Sequence, residues 1–123
     1  MNQLMKRPEE YKIWQKVLEL AETIQKVTED LSLSGSSNIR STLRKVTFTV
    51  PSHLAEGFMM IDFRDRKDSF YRALNGLEEI HKSLVLTEQM GHIKGTHIHK
   101  INKDINELNK MIGELLVPQQ SLS

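Results

Sequence analysis

The stretch KVTFTVPSHLAEGFMMIDF, Lys45 to Phe63, admits two readings. Val46, Phe48 and Val50 alternate with Thr47 and Thr49, the period-2 pattern of a strand, in residues that favour strands. Pro51-Ser52 then looks like a turn. Yet Val46, Val50, Leu54, Gly57 and Ile61 step by 4, 4, 3 and 4, the spacing of one helix face, and that phase runs straight through the proline. A hairpin here would leave one isolated two-stranded ribbon, which is marginal in water. Period and length therefore predict a helix over 37–62 with Pro51 inside it. The cost is one lost helical hydrogen bond and a crowded Thr47 carbonyl, so a bend near Thr47 is expected. Val50, placed before a proline, is pushed away from helical angles and is the main local objection.

The flanks are easier to read. Pro8, Glu9 and Glu10 make a favourable first helical turn. Ile13, Val17, Leu20, Ile24, Val27 and Leu31 come after it at steps of 4, 3, 4, 3 and 4, with Trp14, Leu18 and Ala21 widening the stripe, so a helix is expected over 9–32. SLSGSSN (32–38) is a loop by composition, and its serines or Asn38 can cap the second helix. Phe70, Leu74, Leu77, His81 and Leu84 predict a helix over 66–90, capped by one acid of 62–68 and stopped at Gly91. Ile98, Ile101, Ile105, Leu108, Ile112 and Leu115 predict another over 96–116, with Thr96 as candidate cap and 117–123 as a tail. Long helices with short links give an all-α, antiparallel up-down four-helix bundle, its second helix bent at the internal proline.

Composition narrows the function classes. A chain of 123 residues fits one domain and needs no staple. It has no cysteine, which excludes disulfides, thiol catalysis and cysteine zinc sites. No run approaches the length of a membrane span, and the opening residues do not read as a secretory signal, so a cytoplasmic location is expected. Net charge is only +1, but residues 35–72 carry seven Lys or Arg against four acids. That is a mild central basic bias.

Three segments carry a family resemblance: YKIWQKVLELA (11–21), IRSTLRKVTFTVPSHLAEGF (39–58) and FYRALNGLEEIHKSLVL (70–86). Together they resemble the 23S rRNA intervening-sequence proteins, a family related to the accessory proteins of diversity-generating retroelements. Trp14, Gln15 and Lys16 match the family's opening, and Arg44 and Lys45 its basic pair. Val50, Pro51, Ser52, Leu54, Ala55, Glu56 and Gly57 match its central motif, and Glu79 its third-helix glutamate. Val46-Thr47 departs from a usual alanine pair, and His53 from a common asparagine. The resemblance implies a four-helix bundle with the proline inside helix 2, a ring-shaped homo-oligomer of about five copies, and a poorly defined role for which nucleic-acid binding is the usual proposal.

Candidate sites weigh unevenly. Glu78 and His81 share a helix face, but no second Glu-x-x-His exists to complete a di-metal site. His92, His97 and His99 cluster in a turn without an adjacent carboxylate. Ser52 and His53 diverge by about 100° on a helix, and no phosphate loop or nucleophile elbow occurs, so neither an enzyme nor a metal or other cofactor is expected. Arg40, Arg44, Lys45, Arg64, Arg66 and Lys67 are the candidate phosphate contacts for RNA or DNA. On a single subunit they read more simply as a solvated face; copies in a ring would sum their charge. Phe48, Ala55 and Met59 lie off the main stripe of the second helix, beside Phe58. A helix apolar on two sides is buried against something further, so these residues and Trp14 are the candidate oligomer interface. The competing expectation is a protein-interaction accessory, for example to a reverse transcriptase, that does not itself bind nucleic acid.

Overall fold

The computed structural model of the chain describes residues 7–31, 37–91, 93 and 95–117. These form α1 (Pro8–Leu31), α2 (Ser37–Met59), α3 (Phe63–Gln89) and α4 (Gly95–Leu115), with no strand among the described residues. The protein is an all-α four-helix bundle. α2 is continuous through Pro51, so the 3.6-residue period prevails over the strand-like residues and over the pre-proline objection at Val50. Three hydroxyls near the proline bond back to the helix. Thr47 Oγ1 donates to the Leu43 carbonyl at 2.5 Å, Thr49 Oγ1 to Val46 at 2.7 Å and Ser52 Oγ to Phe48 at 3.1 Å. Such back-bonds let β-branched and polar residues sit inside a helix without an unmet donor.

Two boundaries differ from the sequence expectation. α2 stops at Met59 rather than near 62, and α3 begins at Phe63 rather than near 66. The cause is Asp62, whose carboxylate accepts from the Arg64 backbone N–H at 2.7 Å and starts the helix one turn earlier than the acids further on would allow. Thr96 is not a cap, since α4 already includes Gly95. α3 closes at Met90, and Gly91 comes next with φ of 77°, a left-handed position that glycine takes at little cost. The serine-rich loop over 32–36, His92 and the tail over 118–123 lie outside the described residues.

Links of a few residues between long helices run consecutive helices antiparallel. The side-chain contacts agree: Arg44 reaches Thr28, Phe58 meets Phe70, and His81 meets Asn102. α1 packs on α2 and α4, and α3 on the same two. One core runs the length of the bundle: Ile13, Val17, Leu20 and Ile24 from α1; Leu43, Val50, Leu54 and Phe58 from α2; Phe70, Ala73, Leu77, Ile80 and Leu84 from α3; Ile101, Ile105, Leu108 and Ile112 from α4. Each fully buried side chain of the larger kinds contributes about 1.5–3 kcal/mol.

The α2–α3 seam is built on two glycines. A Cβ at Gly57 would fall within 3.0 Å of three Phe70 ring atoms, and one at Gly76 within 2.7 Å of Val50 Cγ2. Glycine therefore lets one helix receive a large side chain of the other. Phe70 fills the space above Gly57 and meets Phe58 edge-on, with ring centroids 5.6 Å apart.

Candidate functional site

α2 presents its second apolar side to solvent. Phe48 is 77% exposed and Met59 68%. Ile61, which the spacing placed on the Val50–Leu54 face, instead lies past the end of α2 and is 90% exposed in the link to α3. Between this side of α2 and α1 lies an open groove of about 670 Å³. Trp14, Leu18 and Ala21 form its α1 wall, and Phe48, Pro51 and Ala55 its α2 wall. The helical spacing explains the set: 14, 18 and 21 lie on one α1 face, and 48, 51, 52 and 55 on one α2 face. Pro51, Ser52 and Ala55 of the sequence motif thus line the groove, while Gly57 faces α3. Leu18 and Ala21 are legible in the sequence only as wideners of the α1 stripe.

Of the expected interface residues, Trp14, Phe48 and Ala55 share this groove, and Met59 continues its α2 side. Phe58 does not belong with them. It is 1% exposed and packs on Phe70 in the core, because it lies 4 residues from Leu54 and 8 from Val50 on the inner face. What approaches Gly57 closely is the Phe70 ring.

The candidate cations do not form one surface. Arg40, Arg44 and Lys45 sit in the first half of α2, whereas Arg64, Arg66 and Lys67 begin α3 at the opposite end of the bundle, roughly 20 Å away along α2. Arg44 lies on the groove rim, where its Nε donates to Thr28 Oγ1 at 3.4 Å. Arg66 is engaged within the chain. Its Nη2 donates to Glu10 Oε1 at 3.1 Å, and its guanidinium lies 5.7 Å from the Phe70 ring centroid. Glu10 is 1% exposed and its other oxygen, Oε2, has no hydrogen-bond partner, so Arg66 is the countercharge of a buried carboxylate. Among the described residues, Arg40, Lys45, Arg64 and Lys67 enter no ion pair.

The remaining motif residues have separate places. Lys16 joins α1 to α4, 2.6 Å from Glu107 and 3.6 Å from Asp104. The hydrogen bond with Glu107 holds the lysine above its ordinary pKa and the glutamate below its own. Gln15 and Glu79 are exposed. Glu56 is exposed with an oxygen 3.6 Å from His53 Nδ1, too far for a hydrogen bond.

A second, smaller groove of about 220 Å³ lies between α3 and α4. Leu74 and Ile105 lie under it, and Glu78, His81, Asn106 and Asn109 line it. His81 Nδ1 is 2.9 Å from Asn102 Oδ1. Among the described residues no three His, Asp or Glu converge as metal ligands. His97 and His99 are both exposed on α4. No helix among the described residues is long and apolar enough to cross a membrane.

No curated protein sequence matches the chain. The sequence profile of one family does match, over residues 9–114, which takes in the four helices but for Pro8 and Leu115, and the groove between α1 and α2. The chain therefore belongs to the 23S rRNA-intervening sequence protein family.

Proposed function

We propose that this chain is a non-enzymatic helical bundle that assembles with copies of itself into a ring and, once assembled, scaffolds RNA or DNA. One observation carries the proposal: the uncovered apolar side of α2, with Phe48 77% exposed above an apolar groove. Contiguous exposed apolar surface marks an interaction site. Assembly also supplies what one subunit lacks. Arg40, Arg44 and Lys45 lie at and beside the groove's end, so copies joined there would gather several such clusters into one basic surface. The contacts would be to phosphates, with steep salt dependence and little sequence preference.

Light scattering tests the assembly. Phe48→Asp and Met59→Asp are expected to yield monomers whose circular dichroism remains helical; an intact oligomer in both variants overturns the proposal. A salt titration of RNA and DNA binding tests the scaffold, and absence of binding at low salt overturns that part.

The Arg66–Glu10 pair favours a second reading. It withdraws one of the six candidate cations from any phosphate, and the other five are divided between two ends. A protein-binding accessory module would need no joint basic surface, and in that case the groove receives a different protein.

A further inference from the structure

The α3/α4 groove differs in chemistry from the apolar groove between α1 and α2. Its walls carry amides, one imidazole and one carboxylate, and none of the residues lining it is Lys or Arg. That composition suits a neutral planar ligand with hydrogen-bonding edges better than a phosphate, which selects cations. A volume of about 220 Å³ accommodates one heterocyclic base, with Leu74 and Ile105 as an aliphatic floor.

The donor and acceptor pattern is partly fixed. An amide oxygen can only accept, so with Asn102 Oδ1 as its partner His81 Nδ1 is the donor. Glu78 is acceptor-only when ionised. Its single ion pair, with Lys82 one turn on, spans 3.6 Å with both side chains 64% exposed, and such pairs are easily exchanged for a ligand. Asn106 and Asn109 can each donate and accept. A carboxylate beside amides discriminates among bases. Guanine offers two adjacent donors, N1–H and N2–H, that one carboxylate accepts together. Adenine and cytosine set an acceptor beside their amino group, and uracil flanks its N3–H with two carbonyls, so each would place a lone pair against Glu78.

We propose that the α3/α4 groove binds an unpaired guanine base, with Glu78 accepting from its N1–H and N2–H and Asn106 and Asn109 meeting its remaining edge. This rests on the nucleic-acid reading above for its biological source, a single strand, but not for the site itself. Single strands are read in this way, through edges of unstacked bases.

Two arms test it. In the first, NMR tracks the side-chain amides of Asn106 and Asn109 as guanosine or adenosine monophosphate is added. Guanosine is expected to shift them in the wild type and not in Glu78→Gln, an exposed substitution that leaves the core intact. Equal shifts with both nucleotides, or none with guanosine, overturn the site. In the second, uridine-rich oligonucleotides carrying one central guanine or one adenine are compared. Roughly tenfold tighter binding of the guanine strand is expected, given what one bidentate contact contributes, and Glu78→Gln should abolish that preference. Strands that bind through Arg40 and Arg44 without a guanine preference overturn this inference alone. Strands that do not bind, while guanosine still shifts the amides, overturn the scaffold reading and keep the site as one for a free nucleotide.

Discussion

α2 has two apolar sides, and only one of them is covered. On the inner side Val50, Leu54 and Phe58 meet α3 across Gly57 and Gly76, with no room left for a methyl group. On the outer side Phe48 and Met59 stand in solvent beside a groove of about 670 Å³. The residue types are similar and the helix is the same. What differs is the partner: the inner seam fits a side chain against each glycine, whereas α1 leans against the outer side only far enough to form a wall. Inner positions should therefore govern folding, and outer positions association.

Substitution can break that contrast. Phe70→Ala removes the ring that fills the seam and should cost about 3–5 kcal/mol in denaturant unfolding. A loss below about 1 kcal/mol would mean the seam collapses without it. Arg66→Met strands the buried Glu10 carboxylate and should cost around 3 kcal/mol, less than for a fully enclosed pair because Arg66 is 21% exposed. Gly57→Ala sets a gain of about 1 kcal/mol in helix propensity against overpacking of about 1–3 kcal/mol. A net loss of up to about 2 kcal/mol is expected, with Phe70 displaced in a crystal structure. Phe48→Asp, on the outer side, should change the stability of the isolated subunit by no more than about 0.5 kcal/mol. Its effect should appear in the mass of the particle, and an unfolded Phe48→Asp would erase the contrast.

The smallest effect lies away from α2. The Lys16 hydrogen bond depresses Glu107, so this pair contributes stability above the ordinary glutamate range, and the contribution is lost as pH falls through the lowered value. Lys16 is raised, so the same contribution persists below the ordinary lysine range and is lost as pH rises through the raised value. Glu107→Gln should flatten the acid limb of the melting-temperature profile slightly; an unchanged limb would show the pair to be idle.

The two sides of α2 are also unequally legible in the sequence. The 4, 4, 3, 4 spacing through Pro51 announces a helix, and Phe48 and Met59 off that spacing announce a second side. Phe58 is easily misplaced because 58, 59 and 60 are all apolar, so composition does not say which one turns inward. Its distance of 4 from Leu54 holds the answer. The helix ends near 59–63 depend on which of three acids caps α3, and nothing local distinguishes Asp62. The Arg66–Glu10 pair is invisible for a different reason. Its members are 56 residues apart, and no periodicity links a first turn of one helix to a first turn of another.

Pro51 has one more consequence. Having no N–H, it cannot donate to the Thr47 carbonyl one turn earlier, and Thr47, Phe48 and Pro51 all border the groove. The α2 wall of the groove therefore includes the turn whose helical N–H donor is missing. A covering chain that offered only hydrocarbon there would bring that oxygen no partner, and a buried carbonyl left unpaired costs about 1–3 kcal/mol. One that brings an N–H or O–H to the same spot, or traps a water there, avoids the penalty. The proline that made the sequence ambiguous thus marks the turn of α2 at which a polar group on a covering chain would matter most.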